Sequence, residues 1–96
     1  MIASIADKAT RDVFDGVDSK EARSIPKPLW RVAQRKLDML DAAHDLMDLK
    51  APPSNHLEKL KGDLAGFWSI RVNDQYRVIF RFANGNADEV RIVDYH

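Results

Sequence analysis

Leu29, Val32, Ala33, Leu37, Leu40 and Ala43 recur at steps of three and four, while Arg31, Arg35, Asp38 and Asp41 fall between them. That spacing predicts an amphipathic helix with one apolar stripe, running to about His44. Ser24 and the prolines at 26 and 28 read as its entrance, serine capping free amides and proline fitting the first turn. Upstream, residues 2–6 predict a short first strand and residues 8–14 a short helix that stops at Gly16, where a left-handed cap suits glycine. The period is lost over residues 45–56, and Ala51-Pro52-Pro53-Ser54-Asn55 is a turn-rich connection inside one domain. Beyond it the pattern changes to alternation. Residues 67–72 and 76–82 each predict a strand, joined through Asn73-Asp74-Gln75; Asn84-Gly85 is the dipeptide of type I′ hairpins, and residues 90–96 predict the last strand. The expected architecture is α+β, with amino-terminal helices packed on a twisted antiparallel sheet to which the first strand adds.

Alternation also sorts the side chains. Tyr76, Val78, Phe80 and Phe82 share one face with Trp68, Ile70 and Val72, which makes that face the core. The other face carries Ser69, Arg71, Arg77, Ile79 and Arg81, so two arginines are expected near one another on adjacent strands. Like charges in that relation cost a few tenths of a kcal/mol, and an anion such as phosphate between them would remove the cost. The plainer alternative is a solvated face on which Asp74, Asp88 or Glu89 pairs with the arginines. Lys59 and Lys61, in Leu57-Glu58-Lys59-Leu60-Lys61-Gly62, read first as part of an exposed loop. Trp30 and Trp68 read as packing residues. His44 and His56 have no ligand spacing with each other or with carboxylates, so no metal is expected. The chain ends in Asp94-Tyr95-His96, an acid, a phenol and an imidazole. Val90, Ile92 and Val93 would tie this end into the sheet and hold proton-transfer groups in place; a dangling tail is the alternative.

Composition narrows the classes. With 96 residues, 45% hydrophobic and 31% charged, residues 1–96 make one domain with one core. Fifteen basic and fifteen acidic residues argue against a free-standing nucleic-acid binder, so any RNA contact must come from local clustering. The absence of cysteine excludes disulfides and thiolate metal sites. No signal-peptide order and no apolar run near the roughly 20 residues of a bilayer crossing is seen, which predicts a cytoplasmic protein without a membrane span.

Three segments taken together carry more information than any single residue: Leu60-Lys61-Gly62-Asp63, the run from Gly66-Phe67-Trp68-Ser69-Ile70-Arg71 through Gln75-Tyr76-Arg77-Val78 to Phe82, and Asp94-Tyr95-His96. In this order and spacing they closely resemble the HigB (plasmid maintenance killer) toxins of the RelE/ParE superfamily, with similarity over nearly the full length. The resemblance implies a compact RelE-like toxin that cuts messenger RNA in the ribosomal A site. It also implies neutralisation by a HigA-like helix-turn-helix antitoxin that represses the operon, so that operator DNA is reached only through the antitoxin. By motif, Lys61 and Arg77 match basic positions of the active surface, and Asp94, Tyr95 and His96 match the terminal catalytic motif. Arg71 is placed beside them by alternation alone, and Lys59, His56, Glu58 and Arg81 complete the candidate substrate-facing set. Two positions depart from the pattern. Glu58 stands where many relatives carry histidine in Leu-His-Pro-Leu-Lys-Gly, and His56 where others carry arginine, which leaves open whether either takes over a proton-transfer role. Tyr76 stands where tryptophan is common.

The chemistry these residues suit is attack of a ribose 2′-hydroxyl on the adjacent phosphorus without metal or other cofactor. His96, tuned by Asp94, is the first choice for proton transfer, since a positioned acid or base is worth about 10²–10⁴-fold. Arg71, Arg77 and Lys61 would stabilise the phosphorane charge, and Tyr95 would stack on a base or orient the phosphate. Two alternatives stay open: a gyrase poison of the ParE branch, which generally lacks the terminal Asp-Tyr-His, and a catalytically weak antitoxin-binding co-repressor.

Overall fold

The computed structural model describes residues 1–95. Its elements are α1 (Lys8–Asp15), α2 (Trp30–Ala42), β1 (Glu58–Lys59), β2 (Trp68–Arg71), β3 (Tyr76–Ala83) and β4 (Asn86–Asp94). The four strands form one antiparallel sheet in the order β1-β2-β3-β4, with the helices on one face. The α+β expectation is met, with differences at the element boundaries. Among the described residues no helix is long and apolar enough to cross a membrane.

Helix α1 begins at Asp7, whose carboxylate accepts from the Thr10 amide, and ends at Gly16 with φ of 74°. The Thr10 hydroxyl, fully buried, accepts the backbone N–H of Ile92 at 2.8 Å and so fastens α1 to the outer edge of β4. Helix α2 starts at Trp30, later than expected. Two 3-10 turns, Ala22–Ser24 and Lys27–Leu29, occupy the entrance, and the Ser24 hydroxyl donates to the Glu21 carbonyl instead of capping a helix. The reason lies in the prolines: each disfavours helical geometry at the residue before it, so a continuous α-helix cannot form until both are passed. Ala33, Leu37, Leu40 and Ala43 of the stripe are buried as expected, and Trp30 joins them with its indole N–H donating to the Ile25 carbonyl at 2.8 Å.

The core lies between these helices and Ile70, Val72, Val78, Phe80, Ala87, Val90 and Ile92 of the sheet. Phe80 and Leu37 have no exposed surface, and burying one such side chain is worth about 1.5–3 kcal/mol. The opposite face is less bare than alternation suggests, because Ser69 and Ile79 are also fully buried there.

Strand β4 starts at Asn86, not Val90. Asn84 and Gly85 both have positive φ, 55° and 77°, as a type I′ turn requires. A register shift follows between Ile79 and Arg81, where Ile79 pairs with Arg91 but Arg81 with Asp88. Glu89, with φ of 53°, is the extra residue of this bulge. Ala87 and Val90 are therefore both core residues although three apart, which is why residues 86–89 show no two-residue period. The amino-terminal strand is reduced to two isolated parallel bridges, Ile2 to Ala87 and Ile5 to Val90, that follow the same three-residue step. Ser4 spans the bulge: its hydroxyl donates to Asp88 and accepts from the Glu89 amide.

Candidate functional site

Arg77 is the centre of the open sheet face. Antiparallel pairing sets it opposite Arg71 on β2 and Val93 on β4, confirming that the two arginines are cross-strand neighbours. Only 16% of its side chain is exposed. Its Nη1 donates to the Ser69 hydroxyl at 3.1 Å and to the His56 carbonyl at 3.3 Å, while Nη2 lies 3.2 Å from Glu58 Oε1. The guanidinium carbon is also 5.4 Å from the centre of the Tyr95 ring. Three segments distant in sequence, residues 56–58, Ser69 and Tyr95, thus converge on one cation.

The local structure explains each arrival. His56 adopts φ of 45° after the Pro53–Asn55 turn, which directs the next residues into β1. Glu58 then pairs with Ser69, which pairs with Ile79, so all three share the face of Arg77. Tyr95 is held by its amide, which donates to the Gln75 carbonyl at 2.6 Å, so the strand end is tied down at least to residue 95. His96 lies outside the described residues.

The other candidates are dispersed around this hub. Arg71 is ion-paired with the exposed Asp74, and Arg81 with Glu89 at 2.8 Å, two of the three carboxylates that a solvated-face reading names. The Arg81 guanidinium also stacks on Phe67 at 4.3 Å, and a Cβ on Gly66, whose φ is 92°, would come within 2.6 Å of its Nη1 and oblige the guanidinium to shift. Lys61 is exposed, immediately before the Gly62–Leu64 turn. Lys59 pairs with Trp68 and therefore projects from the face opposite Arg77. Asp94 pairs with Tyr76, which also places it on the helix side, where its carboxylate accepts from the Gln75 side-chain Nε2 at 3.0 Å. The terminal motif is thus split across the sheet, Tyr95 with Arg77 and Asp94 behind it.

Arg91 belongs to the open face as well. It pairs with Ile79, is exposed, and makes no ion pair among the described residues. Alternation from Ile92 would have turned it outward; only the register shows that it flanks the arginine pair. The Ser69 hydroxyl is a second contributor that strand patterning could place on the face without revealing its contact to Arg77. A half-buried arginine with a carboxylate, a hydroxyl and a phenol around it can bind a phosphate and place a base beside it.

Comparisons with known proteins agree with this architecture. Residues 3–96 match the family described as the RelE-like toxin of type II toxin-antitoxin system HigB. The chain is 49% identical over 70 residues to Toxin HigB-1 of Vibrio cholerae serotype O1, covering 73% of this chain and 74% of that protein. It is 38% identical to Endoribonuclease HigB of Proteus vulgaris over 100% of both chains. Among solved structures, a chain of the YoeB-YefM complex from Staphylococcus aureus aligns with TM-score 0.58 at 18% identity, covering 100% of this chain and 98% of that one. The YoeB/ParE toxin from Agrobacterium tumefaciens aligns with TM-score 0.55 at 17% identity over 100% of both chains. At such identities these two structures speak for the fold alone.

Proposed function

The chain belongs to the RelE-like HigB toxins of type II toxin-antitoxin systems, and from that premise we propose that it is an endoribonuclease that cuts messenger RNA on the ribosome. The observation that carries the reading is the meeting of Glu58, Tyr95 and the half-buried Arg77 on one sheet face. The full-length relative named Endoribonuclease HigB supports the same activity.

In the proposed reaction the 2′-oxygen bonds to phosphorus and the bond from phosphorus to the 5′-oxygen breaks, leaving a 2′,3′-cyclic phosphate and a free 5′-hydroxyl. Glu58, which fills the position where relatives often offer histidine, removes the 2′-proton. His96 supplies a proton to the departing 5′-oxygen. Arg77 binds a non-bridging phosphate oxygen and stabilises the extra charge that develops there, with Arg71 and Lys61 adding positive charge from the β1–β2 side. Tyr95 stacks against the nucleotide, and Asp94 supports the terminal strand from behind through Gln75. No step calls for a metal. A HigA-like helix-turn-helix antitoxin would neutralise the enzyme and carry any contact with operator DNA, and a ribosomal target places the work in the cytoplasm.

The test is cleavage of ribosome-loaded message in the presence of chelator. The wild-type chain is expected to cut and leave cyclic phosphate ends, while Glu58→Gln and a chain ending at Tyr95 each lose about 10²–10⁴-fold. Message left whole by the wild type would overturn the nuclease reading, and is the outcome that a gyrase poison or a purely antitoxin-binding protein would give.

A further inference from the structure

Lys36 is only 9% exposed, yet its ammonium meets no carboxylate among the described residues. Its Nζ donates to Asn55 Oδ1 at 2.6 Å, a neutral acceptor. Asn55 is fixed in that orientation because its amide nitrogen is engaged by the carbonyls of Leu49 at 3.1 Å and Ala51 at 3.4 Å. An ammonium has three donors, so two are left over. They border a cavity of about 400 Å³ lined by Val32, Lys36, Ser54, Arg71, Val72 and Asn73. The Asn73 side-chain oxygen accepts the Gln75 and Tyr76 amides, which leaves its amide nitrogen as the group it can offer. Asp74, ion-paired with Arg71, takes only part of a guanidinium that has five N–H groups.

The cavity therefore gathers two cations, a hydroxyl and an amide donor. A buried charge without a partner is costly, and a lysine serving only to pin the Asn55 loop could be replaced by a neutral side chain at no such cost. Burial, and after it the neighbouring Arg35, lowers the Lys36 pKa from its ordinary 10.5, a penalty that a bound anion would offset.

We propose that this cavity, between α2, the Pro53–Asn55 turn and the end of β2, is an anion subsite that holds a backbone phosphate of the RNA, next along the strand from the phosphate that faces Arg77. Arg71 links the two places, since it lines the cavity and is also the cross-strand partner of Arg77. The subsite deepens the endoribonuclease reading and rests on it for the identity of the anion. An acidic peptide could satisfy the same cations, but it would not account for an arginine shared with the face where the phosphate chemistry is placed.

The experiment is a nuclear magnetic resonance titration of the full chain with three probes: inorganic phosphate, a 2′-O-methyl tetraribonucleotide that cannot be cleaved, and tetraglutamate. The tetraribonucleotide is expected to shift the Ser54 and Asn73 amides together with those of Arg77 and Tyr95. In Lys36→Met the first pair of shifts should disappear while the second stays, and the dependence of log affinity on log salt should flatten by about 0.7, one phosphate contact on a single strand. Ser54→Glu places a carboxylate at the exposed rim, leaves the Lys36–Asn55 bond untouched, and should give the same loss if Lys36→Met does not fold. Shifts confined to Arg77 and Tyr95, unaltered binding in both variants, or a cavity response to inorganic phosphate or tetraglutamate but not to the tetraribonucleotide would each overturn the subsite. Those results leave the nuclease reading standing, because it fails separately, by uncut ribosome-loaded message.

Discussion

Arg77 shows how much one residue's meaning depends on its neighbours. Alone, an arginine on a polar sheet face is unremarkable; with 16% of its side chain exposed and four groups around it, it is a cation held in place before any substrate arrives. Charge preorganised in this way is worth about 10²–10³-fold when it stabilises a transition state. Arg77→Ala is accordingly expected to lose that much cleavage of ribosome-loaded message, whereas Lys59→Ala, on the opposite side of the sheet, should change the rate by less than a few fold. Equal losses would mean that positive charge matters only in bulk. The pairing of Arg71 with Arg77 was legible from alternation because β2 and β3 are joined by a short turn and keep strict two-residue periods. The contacts of Arg77 to Glu58 and to the His56 carbonyl were not, since they depend on β1, a strand of two exposed residues with no apolar pattern to announce it. Asp94 is the instructive case: the alternation that buries Val90 and Ile92 already turns it away from Arg77, while the motif resemblance groups it with Tyr95 and His96.

At the level of elements, the fold is organised around closing one edge of β4. Its outward N–H and C=O groups meet Met1, Ala3, Ser4 and Ala6 up to Val90, and the Thr10 hydroxyl takes the Ile92 amide. An open edge would invite pairing with other chains, and this one is covered by the chain's own start. Thr10→Val preserves the shape of the side chain but leaves the buried Ile92 N–H without an acceptor, which should cost about 1–3 kcal/mol. Urea unfolding should report it as a lower midpoint with an unchanged slope; an unchanged midpoint would show that the bond adds nothing net. The elements that sequence periodicity captured, α1, the stripe of α2, β2, β3 and the Asn84-Gly85 turn, are those whose local preferences and burial agree. The ones it shifted have an identifiable local conflict. Two prolines delay α2, and the Glu89 bulge hides the first half of β4 by breaking its period.

Across the whole molecule, fifteen basic and fifteen acidic residues cancel, and the cancellation extends to the candidate site itself. Of the four open-face arginines, Arg71 pairs with Asp74, Arg77 with Glu58 and Arg81 with Glu89, and only Arg91 has no carboxylate among the described residues. Affinity for a free strand comes chiefly from cations that displace its counterions, so a face neutralised in this way captures loose RNA poorly. On the reading proposed above, it acts where another body presents the strand and supplies the binding, as a ribosome presents its message. Purified protein should therefore cut naked RNA far more slowly than the same message loaded on ribosomes. Glu89→Gln, which uncovers Arg81 at a distance from Glu58 and Tyr95, should raise affinity for naked RNA and steepen its salt dependence by up to about 0.7 in log–log slope, while leaving the ribosomal reaction nearly unchanged. If wild-type protein already cuts naked RNA as fast as ribosome-loaded message, neutrality does not select the substrate, and the carboxylates beside Arg71 and Arg81 serve only to hold the sheet face in shape.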